Sequence, residues 1–249
     1  MDLRNKAVLV TGAADPVGTA IAIELARAGA TVTLHDSAAS KEVEAACAAV
    51  RRVGGGVAVI AGDLGNPADV ERVASKTLAS VGTLHGLVNN AAVCSSTPID
   101  TLGEEEWDRV MAANLRGPFL LSVHLGRAMA AEAGGVIVNI GDRLGPQPRP
   151  EHLACCVSKA AIVALTRGLA KALAPKVRVH CVVPAPPAFD GASTPPVAND
   201  PRLQGAATAV ARIVRLVMVQ DELHTGGIHV VDARAPQGAS ATALGGVRP

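Results

Sequence analysis

Residues 136–159 read Val136-Ile137-Val138-Asn139-Ile140-Gly141-Asp142-Arg143-Leu144-Gly145-Pro146-Gln147-Pro148-Arg149-Pro150-Glu151-His152-Leu153-Ala154-Cys155-Cys156-Val157-Ser158-Lys159. The first five are apolar or β-branched but for Asn139, the composition of a short strand buried on both faces. A Gly/Pro-rich loop spans 141–150, and an Ala-rich helix is expected from about Ala154. Asp142 then lies just past the C-terminal end of a strand, where open parallel sheets keep their ligands. Cys155 and Lys159 are four apart and share one face of the helix.

Outward from this stretch, strand-like and helix-like segments alternate. Ala7–Thr11, Thr31–His35, Val57–Ala61, Gly86–Asn89, Gly135–Ile140, Val177–Val183 and Ile228–Val231 have strand composition. Val43, Ala46, Cys47, Val50 and Val53 follow a helical period, as do Val70, Val73, Thr77, Leu78 and Val81. Such alternation predicts an α/β fold, a Rossmann-type doubly wound parallel sheet in three layers, formed by one domain over 1–234. Residues 184–201, rich in Pro, Ala and Gly, are expected to loop over the C-terminal edge of the sheet. Residues 235–249 are expected to be a flexible Ala/Gly/Pro-rich tail.

Composition removes several function classes. The formal net charge is +1 and no Lys/Arg run invites nucleic acid or an anionic membrane. No segment is expected to span a membrane uninterrupted, since the late run Ala206–Val219 carries Arg212 and Arg215. The first strand starts by Ala7, which leaves no room for a signal peptide. Five cysteines, at 47, 94, 155, 156 and 181, fit reduced cytoplasmic thiols better than a disulfide framework. No Cys/His spacing predicts a metal site. The aromatic residues are Trp107, Phe119 and Phe189, and there is no tyrosine.

The first strand ends in Thr11-Gly12-Ala13-Ala14-Asp15-Pro16-Val17-Gly18 and a helix follows. Further strands end in Asp36, Asp63-Leu64 and Asn89-Asn90-Ala91-Ala92. Together with Asn114, Asp142, Cys155 and Lys159, these segments resemble the short-chain dehydrogenase/reductases over about Lys6 to Asp232. The resemblance implies a nicotinamide dinucleotide held by Thr11, Gly12, Pro16, Val17, Gly18, Asp36, Asp63, Leu64, Asn90, Ala91 and Lys159, with Pro184 and Pro187 at the nicotinamide end. Pro16 stands where the family has glycine, and has no N–H to offer a phosphate. Read without the family, Asp15-Pro16 is a helix start, Asp as N-cap and Pro at the first helical position. Its carboxylate would then fill the electrostatic role of a phosphate. Asp36 takes the position that binds ribose hydroxyls, and with Ser37 in place of a base it would repel a 2′-phosphate. Weak NAD(H) binding is expected, with NADP(H) disfavoured. At the nicotinamide end Pro187 removes a backbone donor and Phe189 replaces a threonine.

In the family a tyrosine four residues before the lysine donates the proton during carbonyl reduction, a serine orients the substrate, and an asparagine completes the set. Here those places hold Cys155, Asp142 and Asn114. Asp142 after Val138-Asn139-Ile140-Gly141 is similar to the pteridine reductase branch, although Cys94 stands where that branch stacks the pterin on an aromatic ring. A thiol reaches less far than a phenol and is a weak donor. Three readings follow. The first is a degenerate member with impaired or lost hydride transfer, acting as a binding or oligomer partner of its own subunits or of a homologous subunit. The second is an active NAD-linked carbonyl reductase or alcohol dehydrogenase using Asp142 or water as acid, its small-molecule ligand unknown. The third is thiol chemistry at Cys155, with Lys159 favouring the thiolate.

Overall fold

A computed structural model describes residues 1–142, 149–185, 201–232 and 241–244. Eight strands form one sheet: β1 (Ala7–Thr11), β2 (Thr31–Asp36), β3 (Val57–Ala61), β4 (Gly86–Asn89), β5 (Gly135–Ile140), β6 (Val177–Ala185), β7 (Ile228–Asp232) and β8 (Ala241–Leu244). Their order is β3-β2-β1-β4-β5-β6-β7-β8. The first seven run parallel, and β8 pairs antiparallel with β7. The chain thus leaves β1 toward one edge and returns beside it at β4, which opens a crevice at the C-terminal ends of those two strands.

The strand sequences set the two cores by their period of two. Val8 and Val10 of β1 join Val32, Leu34, Val88 and Val138 in one cluster. It is closed by α1 (Pro16–Arg27), α2 (Lys41–Arg52) and α7 (Pro201–Val219). Leu9, between those valines, joins Leu87, Ile137 and Val179 on the opposite face. There they meet α3 (Pro67–Val81), α5 (Gly117–Ala131) and α6 (Leu153–Leu173). Leu9, Leu87, Leu121, Leu125 and Ile137 are fully buried, each stabilising the fold by roughly 1.5–3 kcal/mol relative to exposure.

Local signals start the helices. Ser40 caps α2 by accepting the Val43 N–H, and acids at its start face arginines at its end, in accord with the helix dipole. Asn66 caps α3 ahead of Pro67. α4 (Glu104–Met111) passes through a π-turn at Ala112–Arg116 before α5. Pro118 has no N–H for the Asn114 carbonyl, and the ladder shifts so that Gly117 N–H reaches Ala112 O instead. Gly117 is required there for a second reason, since a Cβ would come within 2.5 Å of the Leu64 carbonyl oxygen.

Two expectations need correction. Residues 241–244, assigned to a flexible tail, form β8, because the outer edge of β7 offers unpaired backbone groups that an extended segment can satisfy. The stretch Pro150–Leu173, passed over as a membrane-length segment, is long and apolar enough to cross one. Its apolar face is instead that of a core helix: Cys155, Ser158, Ile162, Thr166 and Leu169 are buried against the sheet.

A chain of buried polar side chains crosses this half of the molecule. The β4–β5 register sets Asn89 beside Asn139. Asn89 Nδ2 donates to Asn139 Oδ1 at 2.8 Å and to Ser122 Oγ at 3.0 Å, and Asn139 Nδ2 donates to Thr166 Oγ1 at 2.9 Å. Asn139→Ala strips partners from two buried groups and should lower the unfolding free energy by about 1–3 kcal/mol. The urea midpoint should fall with an unchanged m-value; an unmoved midpoint would show that the chain contributes no net stability.

Candidate functional site

The crevice between β1 and β4 is tied at its base by one hydroxyl. Thr11 Oγ1 accepts the N–H groups of Asn90 and Ala91, both at 3.0 Å, and donates to the Val88 carbonyl at 3.3 Å. Asn90 Nδ2 donates to Gly12 O at 3.0 Å. Gly12 has φ +64°, and a Cβ on it would lie 2.7 Å from Ala91 Cα. A Cβ on Gly18 would lie 2.2 Å from Gly12 O. Thr11, Gly12, Gly18, Asn90 and Ala91 are therefore brought together.

At the mouth of the crevice stands the start of α1. Asp15 is its N-cap and accepts the Val17 N–H at 2.8 Å, and Pro16 occupies the first turn. Both Asp15 and Pro16 are exposed. Asp36 accepts the Ala14 N–H at 2.9 Å through one carboxylate oxygen and the Ser37 N–H at 2.8 Å through the other. Asp63 accepts from Gly65 N–H at 2.8 Å, and Leu64 is buried under Gly117. Pro184 lies in β6 opposite Val231. Pro187 and Phe189 lie outside the described residues.

A second cluster lies beyond β5. Lys159, buried on α6, donates from Nζ to the Ile140 carbonyl at 3.1 Å. Asn114, in the π-turn, holds Val93 from both sides: its Oδ1 accepts the Val93 N–H at 2.7 Å and its Nδ2 donates to Val93 O at 2.8 Å. The same Nδ2 donates to Ser158 Oγ at 3.1 Å, and that hydroxyl donates to Cys155 O at 2.8 Å. Asn114 thereby couples the loop after β4 to the start of α6. Cys155 is 3 % exposed, whereas Cys94 is exposed, and the two thiols influence each other's ionisation. His152 Nδ1 lies 3.0 Å from Ser95 O and 3.9 Å from Cys94 Sγ. A carbonyl only accepts, so that ring nitrogen carries the proton.

The two thiols divide unequally. The neighbouring Cys155 thiol brings the Cys94 thiol down to about 7 against the opposing effect of burial, with the charges of His152 and Lys159 helping. Cys155 is pushed well up, by Cys94 and then by burial, and Lys159 only partly offsets this. The surroundings thus favour a thiolate at the exposed Cys94 over one at Cys155. Asp142 is close enough to oppose ionisation of either thiol. Cys94 and His152 escaped sequence reasoning as a pair because 58 positions separate them, and no spacing rule links them. No group of three or more metal-ligating side chains forms among the described residues.

The sequence pattern of the short chain dehydrogenases matches residues 6–193. The chain belongs to the short-chain dehydrogenase family. An uncharacterized oxidoreductase of Thermotoga maritima is 36% identical over 192 residues, 77% of this chain and 75% of that one. An NAD+-bound xylitol dehydrogenase superposes with a TM-score of 0.79 at 25% identity, covering 92% of this chain and 98% of its own. A metagenomic short-chain oxidoreductase in complex with NADP gives 0.75 at 30% identity, covering 88% and 93%. Members of the short-chain dehydrogenase family bind nicotinamide cofactors.

Among the described residues of this family member, some fit such a cofactor and some do not. Gly12 and Gly18 keep the floor of the crevice free of side chains, and Asp36 ends β2 as an acid. At the start of α1, where a pyrophosphate gains from the helix N-terminus, the Asp15 carboxylate already takes the Val17 N–H and Pro16 donates nothing. Asp15→Asn keeps a capping oxygen, so stability should change by only about a few tenths of a kcal/mol, whereas Asp15→Ala should cost about 0.5–2 kcal/mol. An exposed charge near 4 Å from a phosphate is worth about 1 kcal/mol, so Asp15→Asn should bind NADH about fivefold more tightly. Thermal denaturation and titration calorimetry check the two halves; equal affinity in wild type and Asp15→Asn would clear the carboxylate.

Proposed function

We propose that this chain is a family member whose hydride transfer is impaired or lost and which acts as a binding or oligomer partner. The observation that carries the reading is the absence of tyrosine from the whole sequence. Cys155, four residues before Lys159, takes the place of the proton donor. Its thiol is a weak donor and is buried. General-acid catalysis contributes about a hundred- to ten-thousandfold, and that contribution is what the chain forgoes.

Further supports bear on the ligands. Asp36, followed by Ser37, and the exposed Asp15 favour NAD(H) over NADP(H), with weak binding because α1 caps itself. Asp142 after Val138-Asn139-Ile140-Gly141 supports kinship with the pteridine reductase branch, and Cys94 in place of a stacking ring speaks against a pterin. Free cysteines at 47, 94, 155, 156 and 181 support a reducing, cytoplasmic location. A second reading keeps the family's chemistry, with Asp142 or water as acid. It is favoured by the assembly of Asn114 and Lys159 about the ends of β4 and β5.

Wild-type protein should oxidise NADH or NADPH negligibly over a panel of ketones and aldehydes. Cys155→Tyr, alone or with Cys94→Ala to vacate the space beside it, should raise turnover measurably. Robust wild-type turnover that survives Cys155→Ala would replace the first reading by the second.

The assembly part of the proposal rests on α6. Val157, Ala160, Ala164 and Gly168 line its outer face, and a Cβ on Gly168 would meet nothing within 4 Å. Small residues at that spacing allow close helix contact, and Phe119 on α5 is also exposed. Sedimentation at micromolar concentration should show a dimer or larger species; Ala164→Arg should shift it toward monomer, and a monomeric wild type would end this part.

A further inference from the structure

We infer that Cys94 is a nucleophilic thiol toward small-molecule disulfides and that Cys155 is its resolving partner, so that the two form a dithiol–disulfide pair at the crevice. This goes beyond the loss of hydride transfer and does not rest on it.

Four observations on different elements converge. Cys94 is exposed, on the irregular segment after β4, and that segment meets the start of α6 at His152, three residues before the buried Cys155 in the first turn of the helix. His152 donates its Nδ1–H to Ser95 O at 3.0 Å and places the ring beside Cys94, with Nδ1 3.9 Å from Sγ. His152 is also the N-cap residue of α6 and provides no side-chain cap to the first N–H groups of the helix, while the Asp142 carboxylate acts against a thiolate at either cysteine. Lys159, one turn further along α6, places a cation behind Cys155. The sulfur that solvent reaches is thus the one that the surroundings favour as thiolate, and its lowered titration agrees with this.

The step balances with a disulfide R–S–S–R as the oxidant. Cys94 S⁻ attacks one sulfur; the R–S–S–R bond breaks, a mixed disulfide forms on Cys94, and RS⁻ leaves. The charge at Cys94 that held Cys155 protonated is then gone, while Lys159 still favours a thiolate at 155. Cys155 gives up its proton to the departing thiolate and attacks the Cys94 sulfur, displacing the second RS⁻, which takes a proton from solvent. Two protein thiols are oxidised to one disulfide, and R–S–S–R is reduced to two RSH. Closing the pair requires the two sulfurs to reach about 2.05 Å, and the irregular backbone around Cys94 can supply that movement.

The test is mass spectrometry of the full chain treated with bis(2-hydroxyethyl) disulfide, with and without reductant. Wild type should lose two hydrogens and keep no adduct, with peptide mapping joining Cys94 to Cys155. Cys155→Ser should trap one hydroxyethylthio group on Cys94. Brief iodoacetamide labelling of unaltered protein, which needs no variant to fold, should mark Cys94 ahead of the other four cysteines with a pH midpoint near about 7. A lasting adduct on wild type, a link between other cysteines, or a Cys94 midpoint in the ordinary range near 8.5 would each overturn the inference. Dinucleotide binding and carbonyl turnover play no part in these readouts, so their outcome leaves this one separate.

Discussion

The Thr11 hydroxyl is the fastening on which this molecule's functional end depends. One oxygen receives the two successive N–H groups that follow β4 and returns its own proton to Val88 O. A parallel sheet in which neighbouring strands come from distant sequence must splay its loops apart at the point where connection direction reverses. The hydroxyl fixes how far they part. Everything that lines the crevice takes its position from that spacing: Asn90 hangs from Gly12 O, Gly12 can only be glycine against Ala91, and Gly18 lies against Gly12 in turn. The same loop carries Val93 to Asn114 and Cys94 to His152, so one buried hydroxyl couples the nucleotide end of the crevice to the thiol end.

Along that crevice the electrostatics are settled from within the chain at both ends. At the start of α1 a carboxylate on the protein answers the helix dipole that a phosphate would otherwise answer. At the start of α6 the Cys94 thiol stands beside the His152 imidazole. Two helix N-termini that in an open Rossmann-type crevice are available to anions are thus each faced by a group of the chain's own. A fold can retain the glycines, the asparagine tie and the lysine of an oxidoreductase while the charge pattern along its groove changes, because those backbone-shaping residues are held by packing and hydrogen bonds that do not involve a ligand.

The parts of this arrangement that were legible in the sequence are those set by local chemistry or by period. Val8, Leu9 and Val10 announce a strand buried on both faces, and they distribute themselves between the two cores. Asp15-Pro16 announces a helix start, and it is one. Asn114 and Lys159 were legible only through the resemblance; nothing in their own neighbourhoods distinguishes them from a helix asparagine and a helix lysine. The Cys94–His152–Cys155 cluster was not legible, since it depends on where a loop after β4 meets a helix start some sixty residues later. The edge strand at Ala241–Leu244 was hidden for a different reason: Ala and Thr in a Gly/Pro-rich context carry little strand signal, and the pairing is dictated by the open side of β7.

The π-turn at Ala112–Arg116 sets the phase between the helices on either side of it. A π-turn accommodates one residue more than the α-helical ladder would, and one residue of α-helix corresponds to a rotation of about 100°. The turns before and after it are therefore out of phase: α4 packs toward α6 while α5 packs toward α3. The surplus residue acts as a phase shifter between two packing problems that a straight helix could not solve with one apolar stripe. Removing a single residue from that segment would turn α4 by about 100° about its axis relative to α5, carrying Asn114 off the Val93 backbone, while Pro118 would still have no N–H to complete a regular ladder.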